Sequence, residues 1–178
     1  MRTGRLIAVV GPSGVGKDSV MAGLMARHPD LRAAKRVITR PSDAGGEAFD
    51  GVSADEFACL KGQEAFALSW QAHGLSYGIP AEVADWIAAG HDVLANLSRN
   101  ILTDAAMQFA QVVVLSITAS PVVLANRLAA RGREEAQDIA RRLARQVVIP
   151  KTLDVIEIDN SGTLEAAIAA AEAGLFKG

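Results

Sequence analysis

The sequence predicts an α/β fold in which a parallel β-sheet carries helices on both faces. Three observations predict it. Leu6-Ile7-Ala8-Val9-Val10 is a continuous apolar run, the mark of a strand buried on both faces. Comparable runs at Asp92 to Asn96, Val112 to Thr118 and Val155 to Ile158 alternate with helix-forming stretches, the pattern of a sheet covered on both sides. A glycine-rich segment, Gly11 to Gly16, separates the first strand from the first helix. The length of 178 residues suits one domain, and 50% hydrophobic content excludes intrinsic disorder. A chain of this size buries roughly 70% of the surface its unfolded form exposes, so it needs no disulfides to fold.

The elements follow in order. A helix over Lys17 to Arg27 is ended by His28-Pro29, and Val37-Ile38-Thr39 is a short strand. Ser53-Ala54-Asp55-Glu56 is a capping box, with a serine hydroxyl and a glutamate satisfying two free N–H groups reciprocally. Its helix stops at Gly62. Phe66 to Trp70 reads as a strand, followed by a turn through Gly74 and Gly78. Ala81 to Ala89 is a helix stopped by Gly90, and Ile101 to Phe109 another. Ser120-Pro121 caps a helix with Leu124 and Leu128 on one face, ending near Gly132. Glu134 to Arg145 is an arginine-rich helix, and Leu164 to Ala173 closes the chain. Ligands of such sheets sit at the carboxyl ends of the strands.

Charge and cysteine content narrow the function. A net charge of −2 excludes a generally basic nucleic-acid binder. The one cysteine, Cys59, has no internal partner, and His28, His73 and His91 lie too far apart for a zinc motif. Leu6 to Val10 is too short for a signal-peptide core or a membrane span. The expectation is a soluble, cytoplasmic protein with neither nucleic acid nor membrane as partner.

The glycine-rich segment carries the chemistry. Gly11-Pro12-Ser13-Gly14-Val15-Gly16-Lys17 matches the first seven positions of G-x-x-x-x-G-K-[ST], the phosphate loop of P-loop nucleotide-binding proteins. Glycines let successive backbone N–H groups point inward at a polyphosphate. The helix that follows adds its free N–H groups and its positive dipole end. Lys17 supplies a mobile charge for the β- and γ-phosphates, making it a candidate catalytic residue. The eighth position departs from the pattern: it holds Asp18, with Ser19 beyond. Asp18 has two readings. As a hard oxygen donor it holds Mg²⁺, directly or through water, while Ser19 bonds a phosphate. Alternatively it only favours the start of the helix.

A GTPase would need an Asn-Lys-x-Asp to read guanine, and the chain has none. The size fits a compact kinase that uses ATP and a small phosphorylated acceptor. Phosphoryl transfer is mostly positioning and charge stabilisation, so such an enzyme needs many cations. Arg36 and Arg40 bracket one strand, and Arg99 follows the strand that ends at Asn96. Arg131 and Arg142 are candidate catalytic residues of a lid over about 127–145, hinged at Gly132 and closing on the transferring phosphoryl. Arg127, Arg141 and Arg145 read as a solvated helical face.

These features together resemble the guanylate kinase superfamily, whose pattern is carried in order by the phosphate loop, Thr39-Arg40-Pro41 with Gly46-Glu47, Gly74-Leu75-Ser76-Tyr77-Gly78, and Arg131-Gly132 with Ile139 to Leu143. Within it, Gly16-Lys17-Asp18-Ser19, Arg36-Val37-Ile38-Thr39-Arg40, Leu68 to Gly74, Asn96-Leu97-Ser98-Arg99 and Arg131-Gly132-Arg133-Glu134 resemble the branch that phosphorylates ribose 1,5-bisphosphate. The resemblance implies a nucleoside monophosphate kinase-like P-loop core with an inserted acceptor-binding region over about 36–80. It also implies transfer from ATP to the 1-phosphate of ribose 1,5-bisphosphate. A guanylate or other nucleoside monophosphate kinase is the alternative enzyme. A non-catalytic interaction module is the remaining reading, and it has no use for a phosphate cradle.

Departures from the guanylate kinase pattern favour the sugar bisphosphate. Guanine presents donors and calls for a carboxylate, but the position to which the family gives that acid is Leu68 here. A second acidic site is replaced by Asn96-Leu97-Ser98-Arg99, so a cation stands where an acid did. A purine that loses its hydrogen-bond partners is strongly rejected. Two separated phosphates want two separated cations: Arg40 for the reacting phosphate and Arg99 for the remote one, or the reverse. The resemblance gives Tyr77 a phenol contact to the acceptor phosphate. Trp70 and Trp86 read as core, His73 as a solvated loop residue, and Glu47 as either an arginine partner or a solvated acid. Asn160 follows the last strand, where the family places the adenine.

Overall fold

The computed structural model describes residues 3–44, 48–130 and 148–176. Its frame is a five-stranded sheet. β1 (Leu6–Val10) lies at its centre, flanked by β7 (Val93–Asn96) and β8 (Val112–Thr118), with β2 (Arg32–Ala33) and β9 (Asp154–Asp159) at the edges. All four pairings are parallel, as the uninterrupted apolar runs require. Each strand of this frame that the sequence predicts is present, and the short edge strand β2 joins them.

Alternation along β1 divides the core. Leu6, Ala8 and Val10 join one hydrophobic cluster and Ile7 and Val9 the other, all five at 0% exposure. On one face pack α3 (Glu82–Ala88) and α4 (Leu102–Gln108), through Val83, Ile87, Leu102 and Ala105. On the other pack α1 (Lys17–Arg27), α5 (Pro121–Ala130) and α6 (Leu164–Leu175), through Val20, Leu24, Leu124 and Ile168. Each fully buried aliphatic side chain contributes about 1.5–3 kcal/mol relative to exposure.

The amino ends of the strands are closed by an ion pair. Asp92, almost buried, accepts from the Arg5 backbone N–H at 2.9 Å and from its guanidinium at 2.6 and 3.1 Å. Arg5 also donates to the Leu175 carbonyl at 3.1 Å, tying α6 to the frame.

Residues between β2 and α3 form a second sheet, ordered β4 (Phe49–Gly51), β3 (Arg36–Ile38), β6 (Leu75–Pro80), β5 (Phe66–Ala72). β3 and β4 run parallel, and the other pairings are antiparallel. The expected strands at 37–39 and 66–70 appear here as β3 and β5. One expectation is corrected: Gly78 lies inside β6 rather than in a turn. Gly78 is needed there by packing: a Cβ would stand 2.6 Å from the Phe66 ring. The turn is at His73-Gly74 alone. Leu68 and Ile79 pass into the core shared with β1 and β7, which fixes the second sheet against the first.

The capping box before α2 (Ala54–Gly62) forms as predicted: Ser53 Oγ accepts from the Glu56 N–H at 3.1 Å, and Glu56 accepts from the Ser53 N–H at 2.8 Å. The predicted helix 134–145 lies outside the described residues. No helix among the described residues is long and apolar enough to cross a membrane.

Candidate phosphoryl-transfer site

The loop Gly11–Gly16 leaves the carboxyl end of β1 and turns directly into α1. Gly14 and Gly16 have φ of 79° and 96°, left-handed values that suit glycine. A Cβ on Gly16 would also stand 2.6 Å from Asn160 Nδ2. Lys17 folds back over the loop, with Nζ donating to the carbonyls of Gly11 at 3.0 Å and Pro12 at 3.3 Å. Ser13, Asp18 and Ser19 are exposed at the mouth, whereas Val15 is buried beneath it. The residues of the predicted nucleotide cradle are therefore brought together as one surface.

Two residues anchor that loop from below, a role that local sequence pattern does not give to either. Asn160, at 3% exposure, donates from Nδ2 to the Val15 carbonyl at 2.8 Å. Arg127 donates to the same carbonyl at 3.2 Å and to the Asn160 carbonyl at 2.8 Å. The solvated-face reading of Arg127 is thus wrong. Its position beside the buried Leu124 and Leu128 stripe was the available signal, since residues three apart on a helix are neighbours. Both bonds hold the Val15 carbonyl below the loop, and the Val15 N–H is itself spent on the Pro12 carbonyl at 3.3 Å.

Asp18 stands in the first turn of α1 and accepts from Asn96 Nδ2, at the carboxyl end of β7, at 3.4 Å. No group of three or more His, Cys, Asp or Glu gathers among the described residues. A Mg²⁺ ion here would therefore have Asp18 as a carboxylate donor, completed by nucleotide phosphates and water. That set fits this ion, which commonly uses one or two carboxylates and keeps several waters.

The second sheet carries two cations, Arg36 in β3 and Arg40 just beyond it. By alternation Arg36 and Ile38 share one face of β3, and Arg40 follows two residues beyond the strand, where its N–H closes a tight turn onto the Ile38 carbonyl at 2.8 Å. Tyr77 pairs with Ile38 and Trp70 with Tyr77, so they lie on the same face. The Arg36 guanidinium sits 5.1 Å over the Tyr77 ring, which stacks on Trp70 at 5.3 Å and 9°. Arg40 sits 4.3 Å over the Phe49 ring. Burial pushes Arg36 down to about 10, while Tyr77 and the Asp18 carboxylate pull the other way and Arg40 repels it. It remains charged at neutral pH. Thr39 pins β3 to β6: its Oγ1 accepts from the Ser76 N–H at 2.8 Å.

The remaining predicted residues fall as follows. Arg99 opens a single 3-10 turn, Arg99–Ile101, just beyond β7; it is half-buried, and that turn contacts β5. Arg131, Arg142 and Glu47 lie outside the described residues. His73 is exposed at the β5–β6 hairpin tip. Trp70 and Trp86 pack against the core as expected, and Trp70 additionally backs Tyr77.

Comparison with known proteins agrees with this geometry. The family model described as guanylate kinase matches residues 3–171. The chain is 52% identical over 172 residues to a ribose 1,5-bisphosphate phosphokinase PhnN of Ruegeria sp. (strain TM1040), covering 96% of this chain and 90% of that one. It is 48% identical over 166 residues to the protein of that name from Agrobacterium fabrum, covering 91% of each. Among solved structures, guanylate kinase from Anaplasma phagocytophilum superposes with a TM-score of 0.72 at 17% identity, over 97% of this chain and 86% of that one. That likeness is one of fold.

Proposed function

We propose a ribose 1,5-bisphosphate kinase reaction for this chain, which belongs to the guanylate kinase family. ATP gives its γ-phosphoryl group to the 1-phosphate of the sugar, and the products are ADP and 5-phosphoribosyl 1-diphosphate. An oxygen of the acceptor phosphate forms the new bond to the γ-phosphorus. The bond from that phosphorus to the β–γ bridging oxygen breaks, and ADP leaves with the electron pair. The nucleophile is already an anion, so no general base is assigned. Relatives about half identical over nearly the whole chain, and named for this activity, support the reading.

The observation that carries the choice of acceptor is Leu68. It is 5% exposed and packed into the core, so it offers a purine no hydrogen-bond acceptor. The cations at Arg40 and Arg99 suit an acceptor with phosphate at two points and no base.

In this reading the domain spans residues 1–178. Gly11, Pro12, Ser13, Gly14, Val15, Gly16 and Lys17 bind the ATP phosphates, with Ser19 adding a hydroxyl. Asp18 holds Mg²⁺, which neutralises charge on the β- and γ-phosphates when bound. The second sheet, within residues 36–80, is the acceptor region. Arg40 holds the reacting phosphate, Tyr77 contacts it, and Arg99 takes the remote one. Arg131 and Arg142 belong to a lid over 127–145 and stabilise the transferring group. Small molecules are the only partners of this chemistry, which we place in the cytoplasm.

The test is a parallel assay of ADP release from ATP with ribose 1,5-bisphosphate and with GMP. Rapid release with the sugar and little with GMP is the expected result. Turnover of GMP with the sugar untouched refutes the reading in favour of a guanylate kinase.

A further inference from the structure

We infer that Asn160 and Arg127 are positioning residues for the nucleotide: together they hold one peptide of the loop so that the Gly16 N–H is aimed at the donor phosphates. This rests on the kinase reading above and goes beyond it, since that reading gives neither residue a role. The two side chains converge on a single acceptor. Asn160 Nδ2 donates to the Val15 carbonyl at 2.8 Å, and the Arg127 guanidinium donates to the same oxygen at 3.2 Å. No peptide bond among the described residues is cis, so the Val15–Gly16 peptide is trans. In a planar trans peptide the C=O and N–H point in opposite directions. Pinning the Val15 carbonyl to Asn160 and Arg127 therefore turns the Gly16 N–H away from both. Gly16 caps the start of α1, the end of a helix at which free N–H groups and the dipole favour an anion.

The clamp is itself fixed to the frame. The Asn160 backbone N–H donates at 2.8 Å to the carbonyl of Thr118, the last residue of β8, and the Asn160 carbonyl accepts from Arg127 at 2.8 Å. One residue on, Ser161 Oγ accepts from the Ser120 N–H at 2.8 Å, which ties the same turn to the start of α5. The ends of β8 and β9, helix α5 and the loop thus meet at one asparagine. The loop is shaped to receive it. Gly16 has a left-handed φ of 96°, and a Cβ there would stand 2.6 Å from Asn160 Nδ2, so glycine alone meets both conditions.

Stability alone does not account for Asn160. Its side chain is buried, and its Oδ1 finds no hydrogen-bond partner among the described residues. A buried amide with one end unpaired costs stability that an aliphatic side chain of similar size would not. What the amide supplies in return is the donor to Val15. Arg5 is the contrast for Arg127. Arg5 spends its guanidinium on the Asp92 carboxylate and the Leu175 carbonyl, at the amino ends of the strands. Arg127 spends its own on two carbonyls at the carboxyl ends, where ligands of such sheets bind.

The experiment measures, for the wild type, Asn160→Leu, Arg127→Met and Arg127→Lys, the affinity for ADP with Mg²⁺ by calorimetry, the Gly16 amide proton by NMR, and thermal unfolding. In the wild type, ADP is expected to move the Gly16 amide proton downfield, as a hydrogen bond to an anion does. Asn160→Leu and Arg127→Met are each expected to weaken ADP binding about tenfold and to shrink that movement. Their unfolding temperatures should stay within about 3 °C of wild type. Arg127→Lys keeps the charge without the fork and is expected to fall between. ADP affinity within about twofold of wild type in both the leucine and the methionine variant overturns the inference, as does a Gly16 amide that moves as far in them as in the wild type. Should both fail to fold, wild-type ADP affinity in Arg127→Lys overturns it equally. A wild type that binds no ADP defeats the kinase reading and this inference together. A wild type that binds ADP while its Gly16 amide stays still defeats the inference alone.

Discussion

The two sheets are built by different physics. In the five-stranded sheet every residue of β1 is at 0% exposure, and its side chains feed a core on each face. In the four-stranded sheet only Leu68 and Ile79 of β5 and β6 enter that shared core as buried residues, and most other positions are half-buried. Its site-facing side is held by guanidinium groups on rings, contacts worth about 0.5–2 kcal/mol each. In the function proposed above, the difference separates two jobs. The donor cradle hangs on a frame that hydrophobic burial keeps rigid. The acceptor surface is carried on a lighter sheet whose residues are placed by alternation and ring stacking. Such a surface can change its acceptor without disturbing the frame.

Four substitutions break or sharpen that contrast. Lys17→Met acts on the cradle alone. It should cut kcat by about 10²–10³-fold while the unfolding temperature stays put, read by ADP release and by calorimetry. Leu115→Ala acts on the frame alone. Leu115 is fully buried in β8, so the change should cost about 2–5 kcal/mol, or about 4–20 °C of Tm, with KM for both substrates little changed.

Tyr77→Phe acts on the acceptor sheet. It keeps the Arg36–Tyr77–Trp70 stack but removes the hydroxyl. We expect the acceptor KM to rise about fivefold to tenfold, with little loss of Tm. A matching rise in the ATP KM would blur the division between the sheets.

The smallest effect lies away from both substrates, at the α1–α6 contact. Glu172 accepts from Arg27 and from His28, and the Arg27 guanidinium holds its carboxyl below the usual range. A lowered folded-state value means this contribution is present above the ordinary glutamate range and lost as pH falls through the folded value. Glu172→Gln should therefore lower Tm by about 2 °C at most near neutral pH. The gap to wild type should close on acidification.

The legibility of the chain follows the same division. The frame could be read because a strand buried on both faces writes a continuous apolar run, and β1 and β8 match their predicted limits. The cradle could be read because its spacing is local: glycine, lysine and the helix start lie within ten residues. The second sheet was harder. β4 and β6 carry Asp50, Ser76, Gly51 and Gly78, too polar and glycine-rich to announce strands, and their pairing depends on partners distant in sequence. For the same reason Tyr77 was singled out without its stack, and Arg127 and Asn160 without their shared hold on Val15. Those contacts join residues 33 and more positions apart.

The most direct test of this division of labour is a crystal structure with ADP, Mg²⁺ and ribose 1,5-bisphosphate bound together. The account predicts the ADP phosphates beneath Lys17 in the Gly11–Ser19 loop, and one acceptor phosphate against the Arg40 guanidinium just beyond β3, beside Tyr77. An acceptor lodged away from β3 and β6, or an ADP diphosphate outside that loop, would contradict it.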